Sequence, residues 1–408
     1  MNFLFAWRYF KAKKSTNAIN IIAWVSILAF IFGTMILILV LSVFNGFEGI
    51  VKDLYSTFYT DIKITPVQGK VMTLTPGQLA DLKKLPGVKN YSLVAEEKAL
   101  LQNGDYQSVI YLKGVDDNYR YVSGVADNLI NDSKYDIGSA DVPKLILGVG
   151  VEDALGIISG LDPNNLNIYL PRKSSTTMVD ITEDISSDTI SSSAAFRIQQ
   201  DFDNKYGITN IGFVKAAMKL NPDEYTAAEI SLVDADASAA IKRKIKELLG
   251  NTYLVQNKYE QNRSLYAVMN AERWIIYGVL CLVLVVAAFT MIGSLTMLVL
   301  EKQKDISILH ALGGNRLFIR KIFLTEGMLL ALVGGGIGML LAFIVAQLQI
   351  YFHFIPLQGG TFLIDYYPVK LKLADFLLVS ITVFVIALVA AWLPSGRAAG
   401  QQFSLRSE

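Results

Sequence analysis

Four stretches of the chain carry no formal charge: between Lys14 and Glu48, between Arg273 and Glu301, between Glu326 and Asp365, and from Phe376 to Gly396. Each reaches the ~20 apolar residues that a helix needs to cross a hydrocarbon core of roughly 30 Å. They predict spans over 19–47, 273–300, 322–350 and 375–394. At about 1.5 Å per residue the second run is longer than a bilayer requires, so its helix is expected to project beyond the membrane. The first run exceeds the ~7–15-residue core of a signal peptide and continues into LSVFNGFE without a small-residue cleavage site, so it reads as a retained anchor.

Lysine and arginine near the span ends set the orientation. The N-terminal amphipathic segment 1–18 holds Arg8, Lys11, Lys13 and Lys14, the loop 301–321 holds Lys302, Lys304, Arg316, Arg320 and Lys321, and the tail 395–408 holds Arg397 and Arg406. The segment 351–374 has only Lys370 and Lys372. Both termini and the 301–321 loop are therefore expected in the cytoplasm, with residues 48–272 and 351–374 on the outer side.

Within 48–272 the pattern changes to short β-rich runs (DIKITPV, SVIYLKGV, LNIYLP, AEISLV) between Gly, Pro, Asn and Asp turn signals. Helical stretches alternate with them: one opens at Thr75 ahead of Pro76, and SAAIKRKIKELLG closes on Gly250. These imply one large or two small α+β subdomains, with Ser174–Ser193, rich in Ser, Thr and Asp, as a loop. The fold class is thus an α-helical membrane protein, four transmembrane helices with a large α+β domain between the first and second.

Composition agrees. Of 408 residues 52% are hydrophobic and 18% charged, and a net charge of +1 offers no field for nucleic acid. One cysteine, Cys281, excludes an internal disulfide framework, and His310 and His353 leave little for metal or acid–base chemistry. GxSxG, HExxH and CxxC are absent from the sequence. Asp116, Asp117, Asp201, Asp203, Asp234 and Asp236 fit solvated turns better than a carboxylate pair. The spans read as charge-free, which argues against ion-driven transport. Gly334–Gly338 (GGGIG) lacks the Lys-Ser/Thr of a phosphate-binding loop, and its small-xxx-small spacing suits close helix packing. Any ATP hydrolysis then belongs to another subunit.

The stretch Glu301–Leu312 suits an amphipathic helix, with Ile308, Leu309 and Leu312 near one face, Glu301, Lys302, Lys304 and Asp305 mostly elsewhere, and Gly313–Gly314 as its stop. Two readings stand: an interfacial helix on the headgroups, or a coupling helix seated in a cytoplasmic ATPase.

WRYFKAKK before the first span, LSVFNGFE at its end, EKQKDISILHALG after the second and PSGRAA at Pro394–Ala399 resemble segments of the lipoprotein-releasing permeases LolC and LolE, of the MacB/FtsX-like class. KGVDDNYRYVSG and LILGVGVEDALGI resemble that family's outer-domain segments. The chain departs from the family pattern at GLDPNNLNIYLP and DFDNKYG, and Arg172–Ser193 is only a candidate for the carrier-receiving hook. The resemblance implies a permease without catalytic residues or metal, in the inner membrane of a Gram-negative bacterium, with a MacB-like core in the outer domain. It implies a LolD-like ATPase dimer carrying ATP and Mg, a second permease copy (a homodimer or a LolC/LolE-type heterodimer), a periplasmic LolA-like carrier and lipoprotein substrates drawn from the lipid bilayer. It also places a lipoprotein path at Val43, Phe44, Phe47, Trp274 and Tyr277, and ATPase coupling at Glu301, Lys302, Asp305, Ile308, Leu309 and Leu312. A MacB-like exporter and an FtsX-like regulator of a cell-wall hydrolase are the rival readings.

Overall fold

The computed structural model describes residues 17–160, 165–172, 185–357 and 366–400. They form two compact units: one of the described residues up to Ile50 and from Ala267 on, the other Val51–Tyr266. The segment 1–16 and the end of the tail, with Arg406, lie outside the described residues.

In chain order the elements are α1 (Asn17–Phe58), β1 (Ile62–Pro66), β2 (Met72–Thr73), α2 (Pro76–Lys84), β3 (Val88–Asn103), β4 (Tyr106–Val115), β5 (Lys144–Gly148), α3 (Val149–Leu155), β6 (Asn165–Pro171) and β7 (Ile185–Phe196). There follow α4 (Gln200–Asp203), β8 (Tyr206–Asn210), α5 (Ile211–Met218), β9 (Glu224–Tyr225), β10 (Ala227–Leu232), α6 (Ser238–Leu249), β11 (Tyr253–Asn257) and α7 (Lys258–Gln261). Last come α8 (Arg263–Glu301), α9 (Gln303–Ala311), α10 (Arg316–Phe352) and α11 (Leu373–Gly400).

Four helices, Ile21–Phe58, Arg263–Glu301, Arg316–Phe352 and Leu373–Gly400, are long and apolar enough to cross a membrane. Each extends past its uncharged run at one end or both, because an α-helix satisfies its own backbone and tolerates polar side chains beyond the apolar stretch. So α1 continues past 47 to Phe58, α10 starts at Arg316 rather than 322, and α11 continues through Pro394 to Gly400. Small residues let the helices touch. A Cβ on Gly338 would fall 2.5 Å from the Ile31 carbonyl oxygen, and one on Gly334 2.8 Å from the Phe30 Cβ, so α10 lies directly against α1. The expectation of charge-free spans fails: Glu326 within α10 and Asp375 in the first turn of α11 are both 1% exposed. Charge counting had treated both only as limits of the apolar runs.

The unit Val51–Tyr266 lies inside the expected 48–272, because α1 and α8 stay helical through the flanking residues. Of the two subdivisions the sequence left open, one unit is found. It holds a nine-stranded mixed sheet ordered β11-β1-β10-β3-β4-β8-β5-β7-β6, in which β6 returns to pair with β3. The expected helix starts and stops are present: Thr75 caps α2 with a capping box to Gln78, and Gly250 caps α6. Ile241, Ile245 and Leu249 bury one face of α6, in the cluster with Ile62, Ile64 and Ile230.

The loop expected over Ser174–Ser193 is overturned where it can be seen. Residues Ile185–Phe196 are β7, antiparallel to β6 (Asn165↔Ser191, Pro171↔Ile185) and parallel to β5. Its Ser and Thr residues are compatible with a strand, and Ile190, Ser192, Ala194 and Phe196 alternate inward. The candidate hook Arg172–Ser193 therefore loses its last nine residues to the sheet, and 173–184 lie outside the described residues.

On the sheet face opposite Ile62 and Ile64, four charges form a ladder across β1, β10, β3 and β4. Lys63 pairs in register with Glu229, and Glu96 with Lys113. Lys113 Nζ lies 2.8 Å from Glu229 and 3.9 Å from Glu96, Lys63 lies 3.7 Å from Glu229, and the Phe58 ring covers Lys113 at 5.0 Å. Burial opposes the charge on Lys113, but Glu229, Tyr119 and Glu96 outweigh it and hold the ammonium well above its ordinary 10.5. Burial likewise opposes charge on Glu229, yet Lys113 and Lys63 hold its carboxyl below the ordinary 4.5. Burial pushes the neighbouring Tyr119 phenol up to about 12.

Lys113→Ala leaves the carboxylate of Glu229 buried with only the more distant Lys63, and is expected to destabilise this unit by about 3 kcal/mol, measured as earlier proteolysis within 51–266 on heating the full chain. The folded pKa of Glu229 lies below its unfolded value, so its contribution is complete above 4.5 and disappears as pH falls through the folded value. Lys113, raised, contributes fully below 10.5 and loses its contribution as pH rises through the folded value. Proteolytic resistance should therefore be flat from about pH 5 to 10 and fall on the acid side; in Lys113→Ala the acid fall should be shallower.

Candidate functional site

A cleft of about 280 Å³ opens at the end of the helical bundle that carries Glu48, Arg273 and Leu373. Leu41 of α1, Asn270, Arg273, Trp274 and Tyr277 of α8, and Ala374, Asp375 and Leu378 of α11 line it. Spacing explains the set. Arg273, Trp274 and Tyr277 are three and four apart on α8, as are Ala374, Asp375 and Leu378 on α11, so each trio shares a helix face.

Asp375 sits at the centre of the polar contacts. Its Oδ1 accepts from Arg273 at 2.5 Å and its Oδ2 from the Asn45 amide at 2.5 Å. Its position in the first turn of α11 adds the favourable field of a helix N-terminus. The strand of chain before it is stitched to α1: the Lys370 amide donates to the Ser42 carbonyl at 2.9 Å, and Lys372 Nζ to Glu48 at 3.0 Å. Gly46 is needed there, since a Cβ would stand 2.3 Å from the Pro368 carbonyl oxygen. One turn further along α8, the Tyr277 hydroxyl pairs with the Thr382 hydroxyl of α11. Trp274, 56% exposed, meets Tyr277 edge-on at 5.7 Å.

The five residues expected on a lipoprotein path divide. Trp274 and Tyr277 line the cleft; Phe47 packs edge-on against Tyr367 at 6.0 Å; Val43 and Phe44 are half-buried and do not line it. Reading for aromatics missed Asn45, Arg273 and Asp375. The available signal was an arginine and an aspartate bounding two different spans at the same end.

At the opposite end, α9 covers Gln303–Ala311 rather than Glu301–Leu312. Glu301 closes α8, Lys302 caps α9 and pairs with Asp305 at 3.3 Å, and Leu312 falls in the turn before Gly313, whose φ is +90°. Asn315 then caps α10, its side-chain oxygen accepting from the Phe318 amide at 2.7 Å. Ile306, which the pattern did not single out, is the residue turned into the bundle core at 2% exposure. Leu309 and Asp305 are half-buried, while Ile308 (58%) and Leu312 (80%) face outward four residues apart, with Leu317 also exposed. These exposed aliphatic side chains beside charges form a surface that water disfavours. Arg320 lies over the Trp392 ring at 4.1 Å nearby. Among the described residues no three His, Cys, Asp or Glu side chains gather as metal ligands.

The family description "FtsX-like permease C-terminal" matches residues 277–403. The chain is 25% identical over 411 residues to the lipoprotein-releasing system transmembrane protein LolE of Haemophilus influenzae, covering 98% of this chain and 97% of that one. It is 27% identical over 420 residues to LolC of Neisseria meningitidis, covering 97% of each. Among solved structures, the periplasmic region of MacB from Actinobacillus actinomycetemcomitans aligns with 53% of this chain and 98% of its own at 10% identity and a TM-score of 0.38. Along nearly its whole length, then, this chain resembles the LolC and LolE lipoprotein-releasing permeases, and it carries an FtsX-like permease domain at its C-terminal end.

Proposed function

We propose that this chain is the transmembrane permease subunit of an ABC transporter that extracts lipoproteins from the outer leaflet of the inner membrane and passes them to a periplasmic LolA-like carrier. The observation that carries this reading is full-length similarity to both LolC and LolE. In this reading the mixed unit stands in the periplasm as an insertion between the first and second spans, and both termini are cytoplasmic, as the lysine and arginine distribution favours. A second permease copy, identical or of the partner type, completes the path.

The energetics require an engine. Acyl chains leave a bilayer at about 0.8 kcal/mol per CH₂, so release at a useful rate needs ATP hydrolysis by a separate LolD-like dimer holding ATP and Mg. Ile308 and Leu312, exposed on and just after α9, suit seating in a groove of that ATPase, with Glu301, Lys302 and Asp305 at the margin and Leu309 as backing. Ile306 ties the same helix into the bundle, so force on α9 reaches α8 and α10. At the other end, Trp274 and Tyr277 offer an amphipathic wall to lipid, with Val43, Phe44 and Phe47 beside it on α1.

Depletion of the chain followed by separation of inner and outer membranes tests the function. Outer-membrane lipoproteins should accumulate in the inner membrane; normal sorting would turn the reading to efflux or cell-wall regulation. For the coupling surface, Ile308→Asp with Leu312→Asp should lower co-purification of the ATPase by at least about tenfold, the factor given by 1.4 kcal/mol, with membrane abundance unchanged. Ile306→Ala should cost about 2–4 kcal/mol of stability and Ile308→Ala under about 0.5, compared as melting temperatures of the full chain in detergent.

A further inference from the structure

The cleft is bounded by three helices, and polar bonds tie all three at one point. The α11 carboxylate of Asp375 holds α8 through Arg273 and α1 through Asn45. The Tyr277–Thr382 hydroxyl pair extends the α8–α11 attachment by a turn, and Lys372–Glu48 extends the α11–α1 attachment. At this point Asp375 of α11 joins α1 to α8, one through each carboxylate oxygen. From these contacts we infer that Asp375 is the hub of a polar clasp that gates the cleft: separation of Arg273 from Asp375 is the step that lets α8 move away from α1 and α11 and admits lipid. The inference rests on the permease reading above.

The burial of the two partners gives the pair a direction of opening. The Asp375 side chain is 2% exposed and Arg273 29%, so the carboxylate is fixed in the bundle while the guanidinium borders the cleft. Asp375 keeps Asn45 and the N-terminus of α11 when Arg273 leaves, so its charge is not abandoned. A guanidinium has five N–H donors in a fixed fork, and lipid entering the cleft brings ester and amide carbonyl oxygens that compete for them. Lipid arrival and clasp release are thereby linked, each favouring the other. Arg273 also precedes Trp274 in the chain, so its movement carries the cleft's most exposed aromatic with it. Arg273, Asn45 and Asp375 act here as positioning residues.

Swapping the charges separates this role from simple packing. Asn45 Oδ1 is buried without a hydrogen-bond partner, so the amide can turn to accept from an arginine at position 375. The test uses the full chain in native membranes carrying Cys281→Ser and Leu378→Cys on the cleft wall, and reads the labelling rate of that thiol by a water-soluble maleimide together with lipoprotein sorting. Asp375→Asn and Arg273→Gln should each raise labelling at least about tenfold and leave lipoproteins in the inner membrane. Arg273→Asp combined with Asp375→Arg should return both readouts toward the parent, and Arg273→Lys, which keeps charge but loses the fork, should fall between. Unchanged labelling in Asp375→Asn would overturn the clasp. So would equal labelling in the swap and the single variants, which signals general loosening, or normal sorting in Asp375→Asn despite faster labelling. None of these touches the permease reading, which fails only if depletion of the unaltered chain leaves sorting normal.

Discussion

A charge taken out of water must be answered at close range, and both units of this protein are organised around that requirement. In the bundle one such charge is Asp375, met by Arg273 on one oxygen and Asn45 on the other. In the mixed unit it is the Lys113–Glu229 pair, flanked by Lys63, Glu96 and the Phe58 ring. Neither can be relaxed locally, because each partner belongs to a different helix or strand. The pairs therefore fix which elements are neighbours as firmly as the apolar cores do.

The two ends of the bundle show opposite solutions to burial. Around the cleft, Asp375 is matched on both carboxylate oxygens and the aromatic side chains are left half in the open, a surface suited to amphipathic ligands. At α9 Lys302 and Asp305 pair while partly buried, and Ile308 and Leu312 are left outward beside them. An aliphatic pair in that position is better covered by another protein or by lipid than by water. Between the two ends, α10 lies backbone to backbone against α1 at Gly338.

Legibility in the sequence followed the range of the underlying physics. The four long helices, the mixed character of 51–266, the caps at Thr75 and Gly250 and the packing role of Gly334 and Gly338 all rest on periodicity or on neighbours a few residues apart, and each could be read directly. The stretch after position 184 is ambiguous in the sequence because serine and threonine suit a loop and a strand equally; only pairing with β5 and β6 makes it a strand. Ile306 was passed over because a short helix with several aliphatic residues has more than one plausible inward face, and the bundle selects it.

What the sequence determined by itself was the class of solvent each segment requires, since the free energy of placing a run of side chains in lipid or water is nearly a sum over residues. What the tertiary structure decided was the partnership of Asn45, Arg273 and Asp375, residues 228 and 102 positions apart in successive steps along the chain. Charge pairing depends on distances of a few ångströms between side chains on separate helices, and nothing local in the sequence encodes those distances.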